Sequence, residues 1–329
     1  LSPIYERQFS EGSYGFRPKG GCKKALIATT KIVERGYHYA VDIDLERFFD
    51  TVSHAKLIEI LQRTVKDDAV ISHIHRYLNA GVMKDGKYEP SEEGTPQGGP
   101  LSPLLANIIL NELDEELERR GHPFVRYADD GLIFCWSKRA AERAKESITK
   151  FIEGHLKLKV NREKTEVAHI GRLKFLGYGF YICNGKCRLR LHQKTEAKLR
   201  RRLKAITSRS NGMGYAKRKA TLRQYLRGWT EYYNLADMGN KVKEIDQWLR
   251  RRIRMCIWKS WKRTKTRVHN LIRCGIDKQK AYEWGNTSKG YWRIADSWIL
   301  TRALPTERLH TAGYDWIGCY YTVSKLPKG

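Results

Sequence analysis

Two adjacent carboxylates, Asp129 and Asp130, are the residues best suited to chemistry. They lie between two short apolar runs, 124–126 and 132–136, which predict strands. Neighbouring carboxylates repel each other and lose hydration when a fold encloses them, so a cation readily stabilises such a pair. An acidic turn is the alternative, because Asp-Asp followed by Gly131 is also favourable turn chemistry. This stretch alone leaves both interpretations open.

A second acidic segment precedes this one in the chain. Residues 39–45 alternate apolar side chains with Asp42 and Asp44, which predicts a strand. A carboxylate in an apolar strand is unfavourable unless it faces a site at the strand end. Three aspartates on two neighbouring strands are the ligands that two Mg²⁺ ions need for phosphoryl transfer. Either Asp42 or Asp44 could complete the set.

The composition indicates a polyanionic partner. The 329 residues hold 63 Lys and Arg against 36 Asp and Glu, a net charge of +27, which an enzyme acting on neutral substrates does not need. The seven cysteines form no Cys-x-x-Cys pair, so a zinc site is not expected and a reducing compartment is. No apolar run reaches the ~18–20 residues of a membrane span, so we expect no membrane partner and a cytoplasmic location.

The surrounding elements predict an α+β fold. Helices are expected at 54–65, at 68–79, from Ser102-Pro103 to Gly121, and from Ser137 to Gly154. Ser53, Ser102 and Ser137 are the predicted N-caps of three of these helices. Short strands are expected within 156–182. This order suits helices packed on one face of a small, largely antiparallel sheet.

Two glycine-rich loops accompany the acidic strands. Residues 9–21 contain four glycines beside aromatic and basic residues, which fits either a plain loop or a close backbone approach to a ligand. Gln97 stands between Pro96 and two glycines, where its amide could bond a base or sugar edge.

The second half of the chain is strongly basic. Residues 194–267 contain 23 Lys and Arg against 5 Asp and Glu along three predicted helices, which favours contact with a phosphate backbone. Residues 268–329 interleave Trp and Tyr with Lys and Arg. The predicted nucleic-acid-binding residues are Arg200, Arg201, Arg202, Arg250, Arg251, Arg252, Lys262 and Arg263.

These motifs resemble a known family. Tyr-Ala-Asp-Asp at 127–130 resembles the polymerase signature of reverse transcriptases, 44–50 their first acidic motif and 95–108 their dNTP and template loop. Further similar blocks lie at 13–18, 161–165, 175–178, 226–233, 258–263 and 289–293. In this order the chain is similar to bacterial group II intron-encoded reverse transcriptases with maturase activity, of the type that lacks the endonuclease His and Cys pairs.

The resemblance assigns roles to single residues. It implies that Asp44, Asp129 and Asp130 bind two Mg²⁺ ions, and it favours Asp44 over Asp42 because the family places an aromatic residue five positions on. That residue is Phe49, which would stack under the deoxyribose and exclude a 2′-hydroxyl. Gln97 would contact the incoming nucleotide or the templating base, and Lys164 would lie near the active site. Arg17 would touch the template or brace its own loop, and bracing is preferred.

The resemblance also implies an architecture and partners. It implies a right-hand polymerase with partial fingers and palm at 1–190, a basic three-helix thumb with maturase function at 191–263 and a DNA-binding helical region at 264–329. The implied partners are group II intron RNA, an RNA template with a DNA primer, target DNA, dNTPs and a second copy of the chain. Bacterial origin and association with the nucleoid on DNA follow from the same family.

Other functions remain open at this stage. One is an RNA-binding splicing cofactor with a vestigial polymerase site, and another is a reverse transcriptase of the retron or defence type. The intact aspartates oppose the first, and the maturase-like blocks at 226–233 and 258–263 oppose the second. The upstream fingers segment of the family has no counterpart ahead of Leu1, so a fragment or processed chain is expected.

Overall fold

The computed structural model describes residues 1–84, 87–89, 93–96 and 98–321. These residues form two compact units, Leu1–Leu189 and Arg190–Gly329. The predicted Gln97 lies outside the described residues. The further division of the second unit at residue 263 stays a prediction.

The first unit combines seven helices and eight strands among its described residues. Its helices are α1 Ser2–Tyr5, α2 Cys22–Glu34, α3 Phe48–Thr51, α4 His54–Thr64, α5 Asp68–Asn79, α6 Ser102–Arg119 and α7 Lys138–Phe151. Its strands are β1 Tyr39–Ile43, β2 Val82–Lys84, β3 Lys87–Glu89, β4 Phe124–Tyr127, β5 Asp130–Cys135, β6 Glu166–His169, β7 Tyr178–Cys183 and β8 Lys186–Leu191, which ends just past the unit boundary.

The central sheet is antiparallel, with strand order β4-β5-β1-β6. Side chains alternate along each strand, so Val41, Ile43 and Ile133 enter the core formed with the helices, whereas Asp42 points to the opposite face of the sheet. The other strands form the hairpins β2-β3 and β7-β8. The predicted α+β fold with helices and an antiparallel sheet is therefore confirmed.

Helix starts follow the predicted caps in two of three cases. Ser53 accepts a hydrogen bond from the Lys56 N–H, and Ser137 accepts one from the Ala140 N–H, as N-caps do. Ser102 is not the cap of α6, because the helix already includes it and Leu101 takes the cap position. The Ser102 hydroxyl instead donates to the Pro96 carbonyl at 2.6 Å and holds the preceding loop.

The segment after α7 differs from its predicted strands. Ile152–Leu156 form a single turn of π-helix, and the left-handed Lys157 (φ 59°) ends it. Leu158 and Val160 are buried, and Val160 makes an isolated bridge with Leu45. The alternating apolar residues thus fill the core without extending the sheet.

The second unit is helical in its described part. Its long helices are α8 Gln193–Ile206, α9 Tyr215–Tyr233 and α10 Gly239–Ser260. Its shorter helices are α11 Thr264–Arg273, α12 Lys278–Gly285, α13 Tyr291–Ile294, α14 Trp298–Ala303 and α15 Thr306–Thr311. Leu199, Leu226 and Leu249 are fully buried, one from each long helix, as the apolar spacing predicts. No helix within the described ranges is long and apolar enough to cross a bilayer.

Candidate active site and basic helices

The acidic residues of the sheet meet at one end of two paired strands. Ile43 of β1 lies opposite Gly131 of β5, so the antiparallel register brings Asp44 level with Asp130 one step further on. The Asp44 backbone is fixed by the segment before β6: its N–H donates to Thr165 Oγ1 at 3.1 Å, and its carbonyl accepts from the Asn161 N–H at 2.9 Å. The structure therefore brings together the aspartates that the sequence singled out.

Electrostatics at this end of the sheet favour a cation. Asp130 keeps contact with solvent, yet partial burial raises its pKa, and the nearby Asp129 and Asp44 charges raise it further. Burial and the neighbouring negative charges all oppose the ionised form of Asp130, and a bound cation would offset them. The donor set consists of carboxylate oxygens, which suit a hard divalent ion.

Asp42 is a fourth carboxylate close to the same site. Burial raises its pKa to about 7, and the charges of Asp130, Glu166 and Asp44 contribute, while Lys174 acts in the opposite direction. Asp42 lies in β1, and Asp44 follows two residues later, just beyond the end of that strand. The sequence left open whether Asp42 or Asp44 accompanies Asp129 and Asp130. Both carboxylates lie near Asp130 in the structure.

Lys164 lies beside the first aspartate. Its Nζ is 3.7 Å from Asp44 Oδ1, and its side chain is 69% exposed. A lysine this exposed can move away from the carboxylate when another cation or a phosphate arrives. Its predicted place near the active site agrees with this position.

Phe49 lies on the short helix α3 directly after the acidic strand. Its ring is partly buried and meets Phe48 edge-to-face with centroids 5.1 Å apart. Its carbonyl accepts from the Thr95 N–H at 2.6 Å, so the loop that leads to Gln97 is docked on α3. Gly94 (φ 87°) permits this approach, since a Cβ there would meet the Phe49 carbonyl oxygen at 2.7 Å.

The glycine-rich loop at 9–21 contacts the protein itself. Arg17 forms an ion pair with Glu6 at 2.9 Å and donates to the carbonyls of Ser10 and Ser13, which agrees with a bracing role. A Cβ at Gly15 would collide with the Ala128 backbone nitrogen. Gly15 therefore allows the loop to pack closely against the turn that carries Asp129.

The predicted nucleic-acid residues of the second unit separate by exposure. Arg201, Arg202, Lys262 and Arg263 are exposed. Arg200 is partly buried and pairs with Glu196 at 2.9 Å and Glu244 at 2.6 Å. The exposed residues can meet a phosphate backbone without breaking internal contacts, whereas Arg200 cannot.

The cluster at 250–252 corrects the sequence interpretation. Arg252 is 8% exposed and donates to Thr207 Oγ1 at 2.6 Å, and burial lowers the pKa of its guanidinium. Arg251 pairs with Asp296 at 3.1 Å and lies 3.9 Å over the Trp292 ring, and Arg250 lies 5.5 Å over Trp316. Three consecutive arginines on one helix point in different directions, so they cannot act as one phosphate-binding patch.

One further group of metal-type ligands lies in the described part of the second unit. Ligand atoms of His310, Asp315 and Cys319 are all within 4.8 Å of one another. Asp315 already accepts from Arg223 Nε at 2.9 Å and the Tyr320 hydroxyl at 2.6 Å, and these contacts lower its pKa against the effect of burial. This carboxylate is thus neutralised by the chain's own groups.

Comparison with known families identifies the class. Residues 1–180 match the model described as reverse transcriptase (RNA-dependent DNA polymerase), and the chain belongs to that family. Residues 197–275 match the model described as group II intron, maturase-specific domain. The predicted combination of a reverse transcriptase with a group II intron maturase domain is confirmed, whereas the bacterial, endonuclease-lacking type stays a prediction.

Two curated proteins and one solved structure illustrate what this chain is similar to. The group II intron-encoded protein LtrA of Lactococcus lactis is 30% identical over 247 residues, covering 55% of this chain and 41% of LtrA. Protein YkfC of Escherichia coli is 30% identical over 217 residues, covering 54% of this chain and 57% of YkfC. The chain thus spans about half the length of these relatives. A solved structure of apo telomerase from Candida tropicalis aligns with a TM-score of 0.45 and 11% identity, over 98% of this chain and 55% of that one.

Proposed function

We propose that the chain copies RNA into DNA and binds group II intron RNA to assist splicing and retrohoming. The observation that carries this proposal is the convergence of Asp44, Asp129 and Asp130 at one end of paired strands in a member of the reverse transcriptase family. The basic second unit, with its maturase-specific match, supplies the surface for a nucleic-acid partner.

The two units correspond to a right-hand polymerase in this proposal. Residues 1–190 form the partial fingers and the palm, with the four-stranded sheet as the palm. Residues 191–263 form the thumb, and residues 264–329 form the region that contacts target DNA. In this proposal the sheet holds the metal-binding carboxylates rigidly, while the basic helices hold the template and primer.

The reaction that suits this site is nucleotidyl transfer. Reverse transcriptases are in general metal-dependent, and Asp44, Asp129 and Asp130 would hold two Mg²⁺ ions, which activate the primer 3′-hydroxyl and neutralise charge on the phosphates. The hydroxyl oxygen would bond to the α-phosphorus of a dNTP as its proton passes to water, and the bond from that phosphorus to the pyrophosphate oxygen would break, with its electron pair leaving on pyrophosphate. The aspartates contribute fixed negative charge at the end of β1 and β5, so the ions need no large rearrangement to bind.

The nucleotide would be positioned by the residues next to the aspartates. Phe49 follows the acidic strand and would stack under the deoxyribose, where a 2′-hydroxyl would meet its ring. Gln97 would contact the nucleotide or the templating base, and Lys164 would approach a phosphate once it leaves Asp44. The implied partners are intron RNA, an RNA template with a DNA primer, target DNA, dNTPs and a second copy of the chain, in the bacterial cytoplasm and on the nucleoid.

Primer extension beside RNA binding tests this function. The chain is incubated with a DNA primer on an RNA template, dNTPs and Mg²⁺, and its affinity for a structured group II intron RNA is measured in parallel. Extension with tight RNA binding is the expected result. Binding without extension favours a splicing cofactor instead, and loss of both contradicts the proposal.

A further inference from the structure

Arg126 lies directly behind the acidic turn and is the most extensively bonded arginine there. It is 3% exposed, and its Nε and Nη2 donate to the two oxygens of Asp114 on α6 at 2.8 and 2.5 Å. Nη1 donates to Asn107 Oδ1 and to the Ala128 carbonyl, both at 3.0 Å. Nη2 also donates to Ser13 Oγ at 2.9 Å. One guanidinium thus joins α6, the loop 9–21 and the turn that carries Asp129.

The turn needs a partner of this kind. Ala128 has φ 57°, a left-handed conformation that a residue with a Cβ seldom adopts. Its carbonyl is turned inward to Arg126, and the next two residues are Asp129 and Asp130. A residue held in such a conformation keeps it only when the surrounding contacts impose it.

The loop 9–21 closes the other side of the same turn. The Arg126 N–H donates to the Gly12 carbonyl and the Tyr14 N–H donates to the Arg126 carbonyl, each at 2.8 Å. Asn107 Nδ2 donates to the Gly15 carbonyl at 2.9 Å while its Oδ1 accepts from Arg126. The turn is therefore enclosed between this loop and the guanidinium.

Stability alone does not require this buried ion pair. Burial raises the pKa of the Asp114 carboxyl, and the charge and hydrogen bonds of Arg126 oppose that rise. Replacing a buried pair by apolar residues of similar volume often leaves a protein equally stable. What apolar residues cannot supply is the bond from Nη1 to the Ala128 carbonyl.

We propose that Arg126 is a positioning residue of the polymerase site, which fixes the orientation of Asp129 and Asp130 through the Ala128 carbonyl. The proposal rests on the proposed function, in which Asp129 and Asp130 hold the metal ions of the polymerase reaction. Asp114 and Asn107 orient the guanidinium in turn. When the carbonyl loses its donor, the turn samples other conformations and the carboxylates leave their reactive arrangement.

Two variants remove the contact while keeping the fold. Arg126→Lys keeps a positive charge opposite Asp114, but one ammonium group cannot bond Asp114, Asn107 and Ala128 together as a planar fork does. The double variant Arg126→Met with Asp114→Leu removes both charges at once, so no unpaired charge is buried.

The control is the ion pair of Arg63 with Glu112. Arg63 Nη1 bonds both oxygens of Glu112, at 3.0 and 2.9 Å, and Glu112 lies on α6 like Asp114. Arg63→Lys thus makes the same change to a bidentate pair on the same helix, away from the turn.

Three measurements separate positioning from support of the fold. They are the melting temperature, the kcat and KM for dNTP, and hydrogen exchange of the peptide covering 124–135. We expect Arg126→Lys and the double variant to lower kcat roughly 10- to 100-fold with little change in KM. Hydrogen exchange at 127–131 should accelerate at least tenfold in Arg126→Lys and in the double variant. Arg63→Lys should change neither kcat nor the exchange at 127–131.

The outcomes also separate this proposal from the proposed function. Unchanged exchange at 127–131 in both Arg126 variants overturns the positioning role, whatever the activity. Faster exchange in a protein that never extends a primer leaves the positioning of the turn standing and contradicts the polymerase function. Faster exchange spread evenly over the first unit would show that Arg126 stabilises the fold as a whole, and this result also overturns the proposal.

Discussion

Asp42 on β1 pairs with Leu132 of β5, two residues from Asp130, so the Asp42 and Asp130 side chains lie on the same face of the sheet. Burial raises the pKa of Asp42, and the Asp130 charge raises it further. Asp44 stands level with Asp130 one step beyond the last paired residues. The acidic end of the sheet therefore holds more carboxyl groups than the three aspartates of the motif. This surplus makes both cation binding and stability sensitive to pH.

The first prediction concerns Asp42 and pH. The folded chain keeps the Asp42 proton up to about pH 7, whereas the unfolded chain releases it near pH 3.8. The folded state therefore binds the extra proton between these values, and the free energy of unfolding falls as pH rises through that window, by at most about 4 kcal/mol. Asp42→Asn should remove the Asp42 share of this slope and so reduce the slope in urea unfolding without divalent ions.

Asp68→Asn is the control for that measurement. Asp68 is exposed in the first turn of α5, away from the sheet. The Asp68→Asn substitution should leave the slope between about pH 4 and pH 7 unchanged. A wild-type slope that survives in Asp42→Asn would show that another group carries the proton.

The second prediction concerns the exposed arginines of α8. Arg201→Ala with Arg202→Ala should weaken RNA binding and reduce the slope of log affinity against log salt by about 1–2, since each phosphate contact contributes ~0.7–0.9. Filter binding across a salt series measures the slope. Arg119→Ala with Lys150→Ala removes equal charge from ion-paired, exposed sites of the first unit and should change it little. Equal slopes for wild type and the α8 variant would place the phosphates elsewhere.

The third prediction concerns Arg252, which the sequence placed among the nucleic-acid contacts. Arg252→Met should leave the salt slope unchanged and destabilise the second unit by about 2–3 kcal/mol, because the Lys204 carbonyl and Thr207 Oγ1 lose the Arg252 donor. Urea unfolding measures the loss, with Arg201→Met as the exposed control. A wild-type unfolding midpoint together with a reduced salt slope of RNA binding would show that Arg252 contacts nucleic acid after all.

The sequence predicted the helices and strands of this chain better than the direction of its side chains. The acidic motifs, the helix caps Ser53 and Ser137 and the antiparallel sheet follow from local pattern, which the chain carries residue by residue. Arg252 and Arg201 look alike in sequence, yet helix packing buries one and exposes the other. The partners of Arg126 come from α6 and the loop 9–21, and no local pattern signals such a contact; the nearest signal is a charged residue inside an apolar strand.

The fourth prediction concerns Phe49 and the sugar of the nucleotide. Phe49→Val should lower the preference for dNTP over rNTP about tenfold or more, because a smaller side chain leaves room for a 2′-hydroxyl. Incorporation rates of the two nucleotides on one template measure the preference. Phe151→Val, at the end of α7, is the control and should keep the wild-type preference. An unchanged preference in Phe49→Val would remove Phe49 from the nucleotide site.

The measurement that tests the central claim most directly is single-turnover primer extension by Asp129→Asn, run with intron RNA affinity and melting temperature on the same preparation. The substitution removes one negative charge and keeps the side-chain size. We predict that extension falls at least ~10²-fold while RNA affinity and melting temperature stay near wild type. Extension at the wild-type rate would contradict the assignment of this acidic end as the polymerase site.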